Sequence, residues 1–447
     1  MKVKVRIAPS PTGFLHIGLA RAALFNWLFA KKNSGDFILR IEDTDLERSE
    51  QRYDDDVVEA LKWLGLNWDG QIYRQSERLD IYEKYLKELL DSGKAFWCGH
   101  PKEELEAEQK EQMARKEPPR HICEHKKEKR SEGQIIRLAV DENSTKTIRF
   151  DDAIRGTIEW EERLLGDLSL AKDLKVPLYN FAVVVDDVDM EISHVIRGED
   201  HISNTPKQIL IYEALGKNLP IFAHLPLVLG PDKSKLSKRH GATAINEYKK
   251  DYLPEAMINF MGFLGYTYSK DIISLEEMIK EFELEKVHKS GAIFDVKKLN
   301  WINSQYIKRL SPAEFKKVVK MPDIPDAAVP LITERLEKLS DVQNFSYLWE
   351  EPGYDKELLK WKNFTFEDIK KSLEESRMIV ERIVEKDAIR SALDDLGKKM
   401  GDRGLAYWPL RVAVTGEEKS PDPIDIISAL GKEETLKRID SAIKKLE

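Results

Sequence analysis

Residues 3–28 read VKVRIAPSPTGFLHIGLARAALFNWL, and their pattern decides the fold. From Val3 to Ile7 apolar residues alternate with charged ones, which predicts a strand and not a signal peptide. A break rich in proline and glycine follows at residues 8–13. Apolar residues then recur at helical spacing from Ile17 to Leu28. A strand, a turn and a helix in this order indicate the start of a parallel α/β sheet.

The rest of the chain divides into parts of different character. The α/β pattern covers residues 1–90 and returns at 177–216, around an inserted α+β module at 91–176. Residues 217–300 carry a glycine-flanked basic loop, and helical patterns dominate residues 301–447. We therefore expect an α/β protein with a Rossmann-like parallel sheet, an insert and an all-α C-terminal part.

Composition narrows the class of protein. The chain has 447 residues and a net charge of −8, from 72 Lys and Arg against 80 Asp and Glu. Net charge alone argues mildly against nucleic-acid binding, but basic residues are grouped at 115–130 and 233–239. Two cysteines exclude a disulfide scaffold and favour a reducing cytosol. No apolar run approaches the length of a membrane span.

The turn at residues 8–18 lies where α/β folds bind nucleotides. Backbone N–H groups and the helix dipole face anions at such a position. Gly18 would allow a base or phosphate to approach closely, and His16 could donate to phosphate oxygens. The alternative is an ordinary turn with a surface histidine.

A second segment, Lys235-Leu-Ser-Lys-Arg239, follows Gly230-Pro-Asp232. Lysines on a glycine-flanked loop suit a clamp over a triphosphate, because phosphoryl chemistry leaves the protein chiefly positioning and charge stabilisation to do. Taken alone, the run also fits a solvated basic loop.

A third set combines Arg6, Tyr179 and Arg197 with Glu42. Two guanidiniums and a phenol hydroxyl can bind a carboxylate, and a glutamate can hold an ammonium. An amino acid with an acidic side chain needs these partners. Ordinary ion pairing at strand ends is the alternative.

Both cysteines occur in Cys-x-His pairs, Cys98-Gly-His100 and Cys123-Glu-His125. Two thiolates and two imidazoles make a closed tetrahedral zinc site, so we predict structural Zn²⁺ on these four residues. Packing of Cys98 beside Trp97 is the alternative.

Taken together, these segments resemble the class I aminoacyl-tRNA synthetases, and more narrowly the bacterial glutamyl-tRNA synthetases. The first two segments resemble the two signature motifs of that class. Six further motifs resemble the family and come in its order: RIEDTD at 40–45, YRQSER at 73–78, YNFA at 179–182, VIRGEDH at 195–201, KRHGA at 238–242 and PLRVAVTG at 409–416.

The resemblance implies activation of L-glutamate by ATP with Mg²⁺, followed by transfer to the 2′-hydroxyl of the terminal adenosine of tRNA(Glu). His16 and Lys238 would be catalytic. The ATP site would comprise His16, Gly18, Lys235, Ser237, Lys238 and Arg239. The glutamate site would comprise Arg6, Ala8, Ser10, Glu42, Tyr179, Arg197 and His201.

The same resemblance assigns functions to the parts of the chain. The insert would bind the tRNA acceptor end, 217–300 would contact the tRNA stem, and 301–447 would bind the anticodon, with Arg335 as a candidate reader. We expect a cytoplasmic monomer. A non-discriminating enzyme that also charges tRNA(Gln) is the nearest alternative, followed by glutaminyl-tRNA synthetase, a general ATP-dependent nucleotidyltransferase and a catalytically silent tRNA-binding homologue.

Overall fold

The computed structural model describes residues 2–45, 48–128, 130, 132–241 and 243–447, without the side chain of Lys238. The chain forms two compact units. The first comprises Met1–Lys249 and Pro254–Val296, and the second comprises Lys250–Leu253 and Lys297–Glu447.

The first unit opens with a parallel sheet in which β1, β2 and β3 are neighbours. Helices connect the strands, as parallel pairing requires. The elements are β1 (Lys4–Ile7), α1 (Ile17–Lys32), β2 (Asp36–Ile41), α2 (Gln51–Trp63), β3 (Tyr73–Arg74) and α3 (Leu79–Asp91).

Helix α1 is the buried centre of this unit. Its apolar residues face neighbours on several sides, and Leu24, Phe25 and Leu28 are fully buried. It packs on β1 and β2, as well as on helices that come later in the chain. A helix that is apolar on all sides belongs inside a core. The strand and helix predicted from residues 3–28 are confirmed.

An insert follows, and its strands pair antiparallel. One sheet has the order β4-β5-β8-β9, and β6 and β7 form a separate hairpin. Its elements are β4 (Ala95–Cys98), α4 (Lys102–Ala114), β5 (Ile135–Leu138), β6 (Thr147–Asp152), β7 (Gly156–Glu161), β8 (Leu168–Asp173) and β9 (Val176–Pro177).

The parallel pattern then returns. Strand β10 pairs in parallel with β11, and its entry lies beside β1, where Ser193 N donates to Lys4 O at 2.9 Å. The carboxyl ends of these strands therefore share one edge. The elements are α5 (Tyr179–Asp189), β10 (His194–Gly198), α6 (Thr205–Ala214), β11 (Ile221–Leu225), β12 (Val228–Leu229), α7 (Ile245–Tyr248), α8 (Pro254–Gly262), α9 (Leu275–Glu281) and β13 (Ala292–Ile293).

The regular elements among the described residues of the second unit are all helices. Capping boxes open two of its helices, since Ser311 and Thr365 each accept from the backbone three residues on. Its α-helices are α10 (Val296–Ile307), α11 (Pro312–Val319), α12 (Val329–Thr333), α13 (Phe366–Arg382), α14 (Lys386–Lys399), α15 (Arg403–Thr415) and α16 (Pro423–Lys445).

The predicted fold class is confirmed: a parallel α/β sheet with an α+β insert and a helical C-terminal part. The division into four parts stays a prediction. Among the described residues, none of the helices has both the length and the apolar character needed to cross a membrane.

Candidate active site

The turn after β1 is joined by backbone hydrogen bonds to residues 243–245, which follow the basic loop. Ile17 N donates to Thr243 O at 2.9 Å, and Ile245 N donates to Leu15 O at 2.8 Å. His16 and Ala244 form the antiparallel bridge between these two bonds. Two motifs more than 200 residues apart are thus fixed to one another.

A cavity of about 1200 Å³ lies between them. Four residues of the predicted ATP set line it: His16, Gly18, Lys235 and Ser237. Arg239 is not among its lining residues, because its Nη2 donates to Asp232 Oδ2 at 3.1 Å and to Ser234 Oγ at 2.6 Å. The side chain of Lys238 lies outside the described part of the chain, so its predicted role stays a prediction.

The tautomer of His16 allows its Nε2–H to donate a hydrogen bond. Its Nδ1 accepts from Leu19 N at 3.2 Å, which leaves the proton of the neutral ring on Nε2. Burial lowers the pKa of His16, and Lys235 lowers it further against the opposing effect of Asp200. A Cβ on Gly18 would stand 3.2 Å from His16 Nδ1, so this glycine leaves room for the imidazole.

A smaller cavity of about 310 Å³ adjoins the first, and His16, Gly198 and His201 line both. The whole predicted glutamate set lines the smaller cavity: Arg6, Ala8, Ser10, Glu42, Tyr179, Arg197 and His201. The backbone holds its rim together, since Glu42 N donates to Pro9 O at 2.8 Å. The three predicted segments therefore meet around adjoining spaces.

Arg197 is a buried cation of this smaller cavity with a free donor among the described residues. Its Nε donates to His224 Nε2 at 3.2 Å and its Nη2 to Thr205 Oγ1 at 2.8 Å. Its Nη1 is buried without a hydrogen-bond partner among the described residues. Buried polar groups are almost always paired, so this nitrogen points to a ligand that supplies an acceptor.

Arg6 is held by a carboxylate that the sequence analysis missed. Asp187 accepts from Arg6 Nε at 3.1 Å and Nη2 at 3.3 Å, and from Arg40 Nη1 at 2.7 Å. Burial alone would raise the pKa of Asp187, but the two guanidiniums outweigh it and lower the pKa. The available signal was the acidic pair Asp186-Asp187 that ends an apolar stretch.

Burial also shifts the pKa values of Glu42 and His201 in this cavity. Burial raises the pKa of Glu42 to about 7, although Arg40 and Arg6 oppose the shift. Glu42 can therefore release a proton when an ammonium binds beside it. Burial also lowers the pKa of His201 to about 4, so its neutral ring shares a hydrogen bond with the Tyr179 hydroxyl at 3.1 Å.

The Cys/His cluster has metal-site dimensions. Cys98 Sγ lies 3.4 Å from His100 Nδ1 and 3.6 Å from His121 Nε2, and Cys123 Sγ lies 3.6 Å from His100 Nδ1. Zn–S and Zn–N bonds of about 2.3 and 2.0 Å at a tetrahedral angle place sulfur and nitrogen ~3.5 Å apart. Burial raises the pKa of the Cys123 thiol to about 11, so a thiolate here needs a cation.

The histidines of this cluster differ from the predicted set. The compact group is Cys98, His100, His121 and Cys123. His125 Nδ1 stands 4.0 Å from Cys123 Sγ, and His125 groups instead with His100 and Glu124. His121 Nδ1 donates to Glu108 Oε2 at 2.7 Å, which is how metal-binding histidines are commonly oriented. His121 could not be predicted from the sequence, because it lacks the Cys-x-His spacing.

Two family models match the chain. Residues 2–301 match the catalytic domain of the class I tRNA synthetases (E and Q), and residues 274–443 match an anticodon-binding domain. The first match alone covers more than half of the chain. The chain belongs to the class I tRNA synthetases (E and Q).

Full-length relatives narrow this further. A glutamate–tRNA ligase of Desulforamulus reducens is 41% identical, covering 99% of this chain and 100% of its own length. One from Carboxydothermus hydrogenoformans is 42% identical, covering 98% and 99%. A crystal structure of a glutamate tRNA ligase from Elizabethkingia meningosepticum, in complex with its amino acid, is 35% identical with a TM-score of 0.86, covering 100% of both chains. Within the class, the predicted family of bacterial glutamyl-tRNA synthetases is confirmed.

Proposed function

We propose that this enzyme activates L-glutamate with ATP and transfers it to the 2′-hydroxyl of the terminal adenosine of tRNA(Glu). The observation that carries the proposal is the buried Nη1 of Arg197, which has no partner among the described residues and lies in a cavity that adjoins the larger space between His16 and Lys235. The smaller cavity suits a small acid, and the larger cavity suits a nucleotide.

In the smaller cavity, Arg197 and Arg6 would receive the side-chain carboxylate of glutamate, together with the Tyr179 hydroxyl. Asp187 already compensates the charge of Arg6, whereas Arg197 supplies a buried donor, Nη1, that has no partner among the described residues. Glu42, on the same wall, would hold the ammonium after losing its proton. Glutamine would leave the charge of Arg197 uncompensated, which is costly in a buried site.

In the larger cavity, His16 Nε2–H would donate to the phosphates, and Lys235 would add a positive charge. An oxygen of the α-carboxylate of glutamate attacks the α-phosphorus of ATP, and pyrophosphate leaves. The ribose hydroxyl then attacks the carbonyl carbon and AMP leaves. Mg²⁺ accompanies ATP in this chemistry by neutralising charge on the phosphates. Lys238 is proposed from its place in the loop to stabilise the same charge.

Lys235→Ala is expected to raise the KM for ATP about tenfold and to leave the KM for glutamate within about twofold. Lys235 lines only the larger of the two cavities, where its Nζ pairs with Asp200 at 3.1 Å. Lys233→Ala is the matched control, since Lys233 is an exposed lysine of the same loop that lines neither cavity. An equal rise of the ATP KM in both variants would contradict a specific role for Lys235.

The deciding experiment measures ATP–pyrophosphate exchange and charging with glutamate or glutamine, in the presence of tRNA(Glu) or tRNA(Gln). We expect glutamate and tRNA(Glu) to support both reactions. Charging of tRNA(Gln) with glutamate at a similar rate would establish the non-discriminating alternative. Exchange with glutamine but not glutamate would contradict the proposal.

The C-terminal part supports a tRNA partner, because residues 274–443 match an anticodon-binding domain. Arg335 follows α12, and its Nη1 donates to Leu331 O at 3.2 Å. Its proposed role as an anticodon reader rests on sequence position. We further propose that the enzyme works as a cytoplasmic monomer, where ATP and tRNA are both available.

Structural zinc in the insert is part of the proposal. The buried thiols of Cys98 and Cys123 and the imidazoles of His100 and His121 fit a closed tetrahedral site. The ion would hold β4 to the segment around Cys123, because Cys98 ends that strand. Glu108 would fix the His121 ring from α4.

The purified protein is expected to contain about one equivalent of zinc. His121→Ala is expected to lose most of it, whereas the matched variant His125→Ala should retain it. Metal content by mass spectrometry, after purification without chelators, measures both. The opposite outcome would assign His125 as the fourth ligand, as the Cys-x-His spacing first indicated.

A further inference from the structure

A row of hydrogen-bonded, buried polar side chains, Asp152 and His224, connects the insert to Arg197. His224 Nδ1 and Asp152 Oδ2 are 2.6 Å apart, and His224 Nε2 lies 3.2 Å from Arg197 Nε. Asp152 and His224 are almost completely removed from solvent. Neither residue lines the two cavities, so neither would touch glutamate or ATP.

The direction of each hydrogen bond in the row is fixed. A guanidinium nitrogen only donates, so His224 Nε2 must accept from Arg197 Nε and carry no proton. The proton of the neutral ring therefore sits on Nδ1 and is donated to Asp152. Burial lowers the pKa of His224, against the opposing effect of Asp152, which favours this neutral form.

Thr205 completes the support of Arg197. Its Oγ1 accepts from Arg197 Nη2 at 2.8 Å and lies 3.1 Å from His224 Nε2. Two of the three guanidinium nitrogens are thus occupied by the protein, and Nη1 remains. Among the described residues, Nη1 is the guanidinium nitrogen of Arg197 that has no partner, so it is available for an acceptor from outside the protein.

Asp152 is itself firmly held, at the end of β6 in the insert. Its Oδ1 accepts from Ile154 N at 3.0 Å and from Arg155 N at 2.8 Å, and its Oδ2 accepts from His224 N at 3.1 Å. The hairpin of the insert is therefore connected to the parallel sheet through the same carboxylate that orients His224.

We propose that His224 and Asp152 are positioning residues for glutamate selection, acting through Arg197. This inference rests on the proposed function, because it assumes that Arg197 Nη1 receives the side-chain carboxylate. His224 holds the guanidinium in place by accepting from Arg197 Nε. Asp152 fixes the tautomer in which His224 Nε2 can accept that hydrogen bond. The row also gives the insert a direct structural connection to the site that chooses the amino acid.

The test compares His224→Phe with His224→Gln in tRNA charging assays. Phenylalanine removes the acceptor, and the neighbouring rings of Phe150 and Phe222 make the site suitable for it. Glutamine can place an amide oxygen near the position of Nε2. We expect His224→Phe to raise the KM for glutamate about 10–50-fold with the KM for ATP within about twofold. His224→Gln should stay within about threefold of the wild type for both.

Asp152→Asn is the second variant, in case His224→Phe does not fold. With asparagine at this position the tautomer of His224 is no longer fixed. The KM for glutamate should rise about 3–10-fold, without a matching change in the KM for ATP. Melting temperatures of all variants report folding separately. Equal losses for glutamate and ATP, or a His224→Gln variant as impaired as His224→Phe at an unchanged melting temperature, would overturn the positioning role.

Wild-type charging with glutamate is measured first, because its absence would count against the proposed function and not against the positioning role. Calorimetric binding of glutamate to the wild type and the same variants then decides the inference by itself. Weaker glutamate binding in His224→Phe, restored in His224→Gln, supports it. Unchanged binding in His224→Phe overturns it.

Discussion

Arg197→Gln is expected to lower kcat/KM for glutamate about 10²–10³-fold while the KM for ATP stays within about twofold. Arg197 is almost completely buried, and its Nη1 lacks a partner among the described residues. A substrate carboxylate bound there loses its water, so it depends on the positive charge of the guanidinium, which the glutamine side chain of the variant lacks.

Steady-state charging with varied glutamate and varied ATP measures this effect. Arg137→Gln is the matched control, because Arg137 is a buried arginine of the insert that donates to Asp167 O and Ser169 Oγ and lines neither cavity. The control should lose stability without changing the ratio of the two KM values. Equal loss for glutamate and ATP in Arg197→Gln would point to a damaged fold and remove Arg197 from glutamate recognition.

Asp187→Asn is expected to destabilise the protein by about 3–5 kcal/mol, because it leaves the buried Arg6 and Arg40 with too little negative charge. Asp187 accepts three hydrogen bonds from these two guanidiniums. The loss should appear as a fall of roughly 5–15 °C in the melting temperature measured by circular dichroism or calorimetry.

Asp189→Asn is the control, since Asp189 ends the same helix α5 and pairs with Arg78 at 2.6 Å while remaining partly exposed. An exposed pair of this kind contributes about 0–1 kcal/mol, so little change is expected. Equal destabilisation in both variants would show that the buried position of Asp187 is unimportant.

Acid provides a further check on Asp187. Its pKa is lower in the folded protein than in the unfolded chain, so its contribution is complete above the unfolded value of about 4 and is lost as the pH falls through the folded pKa. The wild type and Asp187→Asn should therefore differ in stability at neutral pH and converge as the pH falls below about 4.

Much of the candidate site could be predicted because it follows from local rules. Arg6 and Arg197 occur in residues with strand patterns, His16 ends the turn that follows the first strand, and carboxyl ends of parallel strands share one edge. Sequence order then places them together without any knowledge of side-chain packing. The same argument located Glu42 directly after β2.

The parts that could not be predicted depend on tertiary packing. Asp187 lies on a helix, and nothing in its neighbours reveals that it faces Arg6 and Arg40. His224 lies within an apolar strand, where a lone histidine carries no pattern. The Cys-x-His spacing selects His125, and only packing brings His121 to the two thiols. The pairing of Arg239 with Asp232 likewise has no pattern in the sequence, and the predicted place of Arg239 in the ATP site stays a prediction.

The backbone ladder between residues 15–17 and 243–245 joins the first signature segment to the residues that follow the second, so the two segments should be exchanged together. A chimera that takes the turn from a relative but keeps residues 243–245 of this chain would have to re-form both hydrogen bonds between segments of different origin. Engineering of nucleotide preference in this scaffold should therefore transplant both segments together, and accepted substitutions in one should depend on which residues occupy the other.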